Sequence, residues 1–220
     1  MISTYTILGG SFDPIHYGHL NIITKITLQF KLKKIIIIPT CSAKYKNITL
    51  TSIIHRLNMI KLAMFNKHIY QINLTEINNQ FIYSIDTLTY LRDILGPKTP
   101  ILFIIGEDNL INITKWNQWN KILFFCHLII CPREFYYSKN KNDNKLLQRW
   151  INQHYINNIN YLTQQPCGYI YFTKINHLNI SSTYIRNAYY TGKSCISLLP
   201  QRVDNYIKIN NLYNSSNNIS

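Results

Sequence analysis

Two histidines preceded by a glycine pair are the residues best suited to chemistry in this sequence. They lie in the segment from Gly9 to His19, which reads GGSFDPIHYGH and stands between a predicted strand and a predicted helix. Glycines let the backbone turn tightly and let a ligand approach the amides, and a helix start offers free N–H groups and a positive dipole end. The spacing of His16 and His19 puts both rings on one side of the first helical turn. The segment therefore predicts an anion-binding site.

This segment differs from two well-known nucleotide-binding loops. No Gly-Lys-Ser/Thr follows it, so it is not a Walker A loop, and it lacks the G-x-G-x-x-G pattern of dinucleotide-binding proteins. Each part also has an ordinary explanation, since a glycine pair is often only a turn and two histidines at this spacing are often surface or core residues. The combination of strand, glycine pair, histidines and helix start favours a functional site.

A second polar group lies near the C-terminus, where Ser181, Ser182 and Thr183 precede a short helical pattern that contains Arg186. Hydroxyls and amides at a helix start, together with one arginine, suit phosphate oxygens. The alternative is an ordinary helix N-cap. Together with the histidine segment, the group favours phosphate binding, and the two groups must then share a cleft.

The elements that position these residues alternate between short apolar runs and segments of helical period, which predicts an α/β fold. We expect a single doubly wound, Rossmann-like domain over residues 1–213, with a mostly parallel sheet, C-terminal helices and a disordered tail at 214–220. The predicted strands are Thr4–Leu8, Lys34–Pro39, Tyr70–Leu74, Ile101–Ile105, His127–Cys131 and Tyr169–Phe172. The predicted helices are Gly18–Phe30, Ser52–Asn66, Ser84–Leu95, Asn144–His154, Thr183–Thr191 and Arg202–Ile209. Such sheets bind ligands at the carboxyl ends of their strands.

Composition limits the cellular setting and the class of protein. The apolar runs are far shorter than the ~20 residues that cross a bilayer, and the first residues do not form a secretory signal. We therefore expect a cytoplasmic protein with no membrane partner. The five cysteines are odd in number and have no C-x-x-C spacing, which predicts reduced thiols.

The charge of the chain is strongly positive, with 23 basic and 9 acidic residues and a formal net charge of +14. This excess fits an anionic substrate or a nucleic acid, and it fits equally a coding bias toward A and T. No recognisable nucleic-acid-binding motif is present, so we expect no nucleic-acid partner.

Several segments resemble those of a known enzyme family. The Gly9–His19 segment and the Ile180–Arg186 stretch, ISSTYIR, resemble the two signatures of the H-x-G-H nucleotidyltransferase superfamily. Three further stretches resemble those of nicotinate-nucleotide adenylyltransferases. They are Tyr83–Leu88 (YSIDTL), Phe103–Asp108 (FIIGED) with Trp116 beyond it, and the closing run from Gly192 to Pro200 with Val203, Tyr206 and Ile207 after it.

The resemblance implies transfer of AMP from ATP to nicotinate mononucleotide, with Mg²⁺ accompanying ATP and no metal held by the protein itself. It implies a monomer or a small homo-oligomer. The implied catalytic residues are His16, His19 and Arg186. The implied ATP-binding residues are Gly9, Gly10, Ser11, Phe12, Lys46, Gly106, Asp108, Ser181, Ser182 and Thr183. The implied acceptor-binding residues are Asp13, Tyr83, Ser84, Trp116 and Arg133, although Asp13 would alternatively orient the loop.

One stretch departs from the family pattern. After the second strand the family reads P-x-x-x-P-P-H-K, whereas this chain has Tyr45 in place of that histidine and keeps Lys46. Two alternatives remain open at this point. One is a related transferase that acts on phosphopantetheine or nicotinamide mononucleotide, and the more distant one is a basic nucleic-acid-binding module.

Overall fold

A parallel β-sheet forms the centre of the computed structural model, which describes residues 4–41, 51–132, 144–175 and 178–214. Within these residues the sheet has seven strands, in the order β3-β2-β1-β4-β5-β7-β6, and every pair of neighbours is parallel. The strands are β1 (Tyr5–Gly10), β2 (Ile35–Pro39), β3 (Tyr70–Ile72), β4 (Ile101–Gly106), β5 (His127–Cys131), β6 (Tyr155–Ile156) and β7 (Ile170–Phe172). The order changes direction between β1 and β4, which is where open α/β sheets bind ligands. The predicted fold class is confirmed.

Helices connect the strands and cover both faces of the sheet. They are α1 (Tyr17–Gln29), α2 (Ile53–Ala63), α3 (Thr75–Asn78), α4 (Ser84–Leu95), α5 (Glu107–Ile111), α6 (Lys145–His154), α7 (Ser182–Tyr190) and α8 (Gln201–Ile209). Short 3₁₀ turns occupy Ile113–Lys115, Trp119–Phe124 and Ile159–Thr163. The sequence predictions missed β6, α3, α5 and these turns, because such short elements show no periodicity.

The core is divided by the sheet into two layers, and alternate strand residues point into each. In β1, Leu8 points into the layer formed with α1, α2, α7 and α8, whereas Ile7 points into the layer formed with α4 and α6. Strands covered on both faces have to be apolar at nearly every position, which accounts for the isoleucine run of β2. The two C-terminal helices therefore share a layer with α1, the helix that carries the histidines.

The cysteines are free, as predicted, and Cys126, Cys131 and Cys195 are buried. Burial raises the pKa of the Cys131 thiol to about 12, so this group stays protonated at neutral pH. In the ranges that the structure describes, no helix combines the length and the apolar character that crossing a bilayer requires.

Candidate active site

The two glycines at the end of β1 lie close to aromatic rings. A Cβ on Gly9 would lie 3.4 Å from the Phe103 ring, and one on Gly10 would lie 3.2 Å from the Phe12 ring. Phe12 adopts a left-handed backbone (φ +49°) and buries its ring in the core. Its predicted contact with ATP would therefore come from the backbone. The two glycines therefore let the rings of Phe103 and Phe12 approach the backbone closely at the end of β1.

The two histidines lie against each other at the start of α1. The backbone N–H of His16, the N-cap residue of the helix, donates to Nδ1 of His19 at 3.3 Å. The two rings are 3.8 Å apart between centroids, and the ring of Phe12 packs edge-on against His19 at 5.1 Å. An accepting Nδ1 places the proton of a neutral imidazole on Nε2. His19 therefore presents a fixed N–H donor, while His16 is only 3% exposed.

The start of α7 is bonded directly to the histidine loop. The Ser182 hydroxyl donates to the carbonyl oxygen of Pro14 at 3.0 Å, and Nη1 of Arg186 donates to the carbonyl oxygen of Asp13 at 2.7 Å. The two polar groups predicted from opposite ends of the sequence therefore meet in one place. These bonds use N–H and O–H donors of Arg186 and Ser182 that were predicted to bind phosphate. A guanidinium has five N–H donors, so Arg186 has more donors than this one bond uses.

The neighbouring hydroxyls of α7 serve the helix itself. Ser181 is the N-cap residue and accepts from the backbone N–H of Tyr184 at 3.1 Å. Thr183 accepts from Nη2 of Arg186 at 3.2 Å. The geometry of Ser181 therefore favours a role as helix N-cap over phosphate binding. Thr183 orients the guanidinium of Arg186.

Asp13 is a buried part of the loop, and the structure shows the partners of both its carboxylate oxygens. The residue is 1% exposed, its Oδ1 accepts from the Tyr213 hydroxyl at 2.6 Å, and its Oδ2 accepts from the backbone N–H of Thr51 at 3.0 Å. Both carboxylate oxygens are thus bonded inside the protein. The geometry favours the other predicted role, orientation of the loop.

Arg56 is a site-forming residue that the sequence analysis missed. It lies in α2, is 1% exposed, and donates to three carbonyl oxygens: those of Ser11 (3.0 Å), Thr40 (2.9 Å) and Thr51 (3.0 Å). Burial lowers the pKa of its guanidinium, and the nearby Asp13 carboxylate opposes that shift. One feature of the sequence could have identified Arg56. It stands three and four residues before Met59 and Ile60, on the same apolar face of the helix, and a cation on an apolar face needs hydrogen-bond partners.

A small, partly open cavity lies against β1, β2 and β4, on the α4 side of the sheet. It brings together Gly9, which was predicted to bind ATP, and Ser84, which was predicted to bind the acceptor. Its lining residues are Ile7, Gly9, Ile38, Glu76, Ser84, Thr87, Leu88 and Phe103. Sequence reasoning missed Glu76, a buried carboxyl that accepts from the Thr87 hydroxyl at 3.0 Å. Burial raises the pKa of Glu76 to about 7.

Of the other predicted residues, four lie in the described ranges and two outside them. Trp116 is half-buried, and its ring centroid is 6.3 Å from that of Phe103, a lining residue. Tyr83 is the N-cap residue of α4 and is 43% exposed. At the end of β4, a Cβ on Gly106 would collide with the Asp108 carboxylate. Lys46 and Arg133, both predicted to bind ligands, lie outside the residues that the structure describes.

Comparisons with known proteins agree on one family. A family model described as cytidylyltransferase-like matches residues 7–188. A Buchnera aphidicola protein named "Probable nicotinate-nucleotide adenylyltransferase" is 45% identical over 214 residues, which are 97% of each chain. A Yersinia pestis protein of the same name is 35% identical over 212 residues, which are 96% of each chain.

The chain belongs to the nicotinate-nucleotide adenylyltransferase family. A solved structure of Plasmodium falciparum nicotinic acid mononucleotide adenylyltransferase complexed with NaAD superposes with a TM-score of 0.72, at 21% identity and over 96% of this chain and 97% of the other. At that identity the superposition establishes the fold alone. The H-x-G-H segment and the I-S-S-T segment are connected by the bonds that Ser182 and Arg186 donate to the histidine loop. In a nicotinate-nucleotide adenylyltransferase, the place where these two segments meet is the candidate active site.

Proposed function

We propose that this chain transfers the adenylyl group of ATP to the 5′-phosphate of nicotinate mononucleotide, forming nicotinate adenine dinucleotide and pyrophosphate in a step of NAD biosynthesis. Family membership supports the reaction class. The observation that carries the assignment is the pair of bonds from Ser182 and Arg186 to the histidine loop. These bonds set two polar helix starts over the same strand ends, which is the arrangement that one phosphate chain needs.

The reaction needs no catalytic base, because the attacking phosphate of the acceptor is already ionised near neutral pH. The protein has to align the acceptor phosphate with the α-phosphate and stabilise the charge on the departing pyrophosphate. His16 and His19 donate to phosphate oxygens, with His19 on the β/γ side through its Nε2–H. The guanidinium of Arg186, which is held by Asp13 and Thr183, adds donors that are already oriented.

Mg²⁺ enters this scheme as part of the substrate. It neutralises charge on the phosphates, and hard oxygen ligands suit it best. Within the described residues, no group of three or more His, Cys, Asp and Glu side chains is arranged to hold a metal ion. We assign the ion to ATP oxygens and water.

We place the pyridine end of the acceptor over the open side of the cavity that faces α4. Ser84, the first residue of α4, lines it, so the amide end of that helix faces the ligand and suits a carboxylate. Trp116, next to the lining residue Phe103, stacks on the pyridine ring. This placement favours the carboxylate on the nicotinate ring over the neutral carboxamide on the nicotinamide ring.

A comparison of acceptors tests the proposal. Purified protein is incubated with ATP and Mg²⁺ and with nicotinate mononucleotide, nicotinamide mononucleotide or phosphopantetheine, and the products are separated by chromatography. We expect nicotinate mononucleotide to give the fastest formation of a dinucleotide and pyrophosphate. Faster turnover of either other acceptor would reject the assignment in favour of a related transferase. A His19→Ala sample shows which product depends on this site.

A further inference from the structure

The far end of the chain reaches back to the histidine loop through one hydrogen bond. Tyr213 follows α8, and its hydroxyl donates to Oδ1 of Asp13 at 2.6 Å across 200 residues of sequence. Its backbone is left-handed, with φ at +65°, a conformation that residues other than glycine seldom adopt without surrounding support. The ring lies 6.2 Å from that of Tyr189 in α7, and the hydroxyl is 3.9 Å from the sulfur of Met59 in α2. Tyr213 is therefore held between two helices of one core layer.

The hydroxyl of Tyr213 remains a donor. Burial, together with the charge of Asp13, raises the pKa of Tyr213 well above its ordinary value. A protonated phenol that donates to a buried carboxylate forms a charge-assisted bond, which is stronger than one between neutral groups.

Asp13 connects Tyr213 to the site. Its backbone carbonyl accepts from Arg186, and the carbonyl of the next residue, Pro14, accepts from Ser182. Loss of a bond to the Asp13 carboxylate would therefore leave the backbone of this residue less restrained, and with it the two carbonyls to which α7 is bonded and the segment that leads to His16. The tyrosine fixes one carboxylate oxygen and the backbone of Thr51 fixes the other.

We propose that Tyr213 is a positioning residue for adenylyl transfer: its hydroxyl, acting through Asp13, fixes the loop that presents His16 and His19 to the phosphates. This inference rests on the proposed function. Tyr213 touches no substrate in this scheme, so its loss should misalign reacting groups without removing any donor to ATP.

The test compares Tyr213→Phe with a matched variant, Tyr206→Phe, in the full chain. Tyr206 lies in α8, and its hydroxyl bonds to His55 and Asn58 of α2, each at 2.9 Å, rather than to the loop. A tenfold fall in kcat in Tyr213→Phe corresponds to a loss of about 1.4 kcal/mol of transition-state stabilisation, which is within the reach of one charge-assisted bond. We expect that fall in Tyr213→Phe with KM for the acceptor nearly unchanged, and near-normal kcat in Tyr206→Phe.

A double-variant comparison separates positioning from simple stabilisation. Asp13→Asn combined with Tyr213→Phe should be no slower than Asp13→Asn alone, because both changes break one connection. A normal kcat in Tyr213→Phe with a lower melting temperature would show that the bond only stabilises the fold, and additive losses would show that the two residues act separately.

An NMR measurement without substrates keeps this inference separate from the reaction. The imidazole signals of His16 and His19 should move in Tyr213→Phe and stay in place in Tyr206→Phe. Unmoved signals would overturn the positioning role whatever the acceptor is. If the signals move while nicotinate mononucleotide is not turned over, the proposed function fails and the positioning role stands.

Discussion

The hydroxyl of Ser182 donates a hydrogen bond to the carbonyl oxygen of Pro14 at 3.0 Å, across 168 residues of sequence. Together with the bond from Arg186 to Asp13, it attaches the start of α7 to the loop between β1 and α1. A substitution at either residue therefore acts in two ways, by removing a donor available to phosphate and by loosening the loop that carries the histidines.

Arg186→Ala should raise KM for ATP about tenfold, because a lost charge-assisted bond is worth roughly 1.5–3 kcal/mol, and it should also lower kcat. Arg186→Lys keeps the positive charge but loses the planar set of N–H donors, so its KM for ATP should lie between those of the wild-type protein and Arg186→Ala. Steady-state kinetics with ATP varied gives both constants. The matched variant is Arg92→Lys, since Arg92 bonds to the carbonyls of Gly96, Thr99, Phe125 and Pro166 at the opposite edge of the sheet. An unchanged KM for ATP in Arg186→Ala would count against its contact with the triphosphate.

His19→Ala should lower kcat about 10²-fold or more, the usual effect of removing one oriented donor to a charged transition state. The side chain is half-buried, so the melting temperature should change little. Single-turnover kinetics measures the chemical step, and His68→Ala, which removes an exposed histidine, serves as the control. Near-normal turnover would remove His19 from the catalytic set.

Arg56→Lys should lower the free energy of unfolding by about 3 kcal/mol, because one ammonium cannot replace a buried guanidinium that serves three carbonyls. Urea denaturation measures the change. Arg202 provides the comparison, since its guanidinium lies over the Phe65 ring at 3.8 Å and Arg202→Lys should cost about 1 kcal/mol or less. Similar small losses in both variants would show that the Arg56 bonds contribute little to stability.

Glu76→Gln should change how stability depends on pH. Burial raises the pKa of the folded carboxyl from 4.5 to about 7, so the folded protein binds this proton more tightly than the unfolded chain does. The resulting stability is complete below about pH 4.5 and is lost as the pH rises through about 7, a change of about 3 kcal/mol at most. Glutamine keeps an acceptor for Thr87 but does not titrate. The wild-type protein should therefore lose stability relative to Glu76→Gln across this window in denaturation series. Parallel pH profiles of the two proteins would contradict the shift.

The longer elements of the fold could be predicted from the sequence, because apolar periodicity is a local property. The bounds of α4 and β5 were predicted to the residue, and β1 differs because its strand continues through both glycines of the loop. The strand β6 and the helices α3 and α5 span only two to five residues. They form because neighbouring elements supply their partners, which a window of sequence does not show.

The site could be predicted only where residues form a compact motif. The histidine segment and the group around Ser182 are such motifs, whereas Arg56, Glu76 and Tyr213 stand alone in the sequence. Their roles come from burial beside a particular partner, and Tyr213 is one of 17 tyrosines with nothing local to distinguish it. Asp13 lies inside a motif, yet the direction of its side chain depends on Tyr213 and Thr51, which the motif does not contain.

The residues that hold the loop after β1 are far apart in the sequence, so they are translated at different times. The loop after β1 leaves the ribosome early, Arg56 follows soon after, and Ser182, Arg186 and Tyr213 appear near the end of translation. All the strands described above are therefore translated before Ser182, Arg186 and Tyr213, whose hydrogen bonds hold the histidine loop. A messenger RNA that stops short of codon 213 would yield a chain that has most of its hydrophobic core but lacks the tyrosine that aligns the histidine loop.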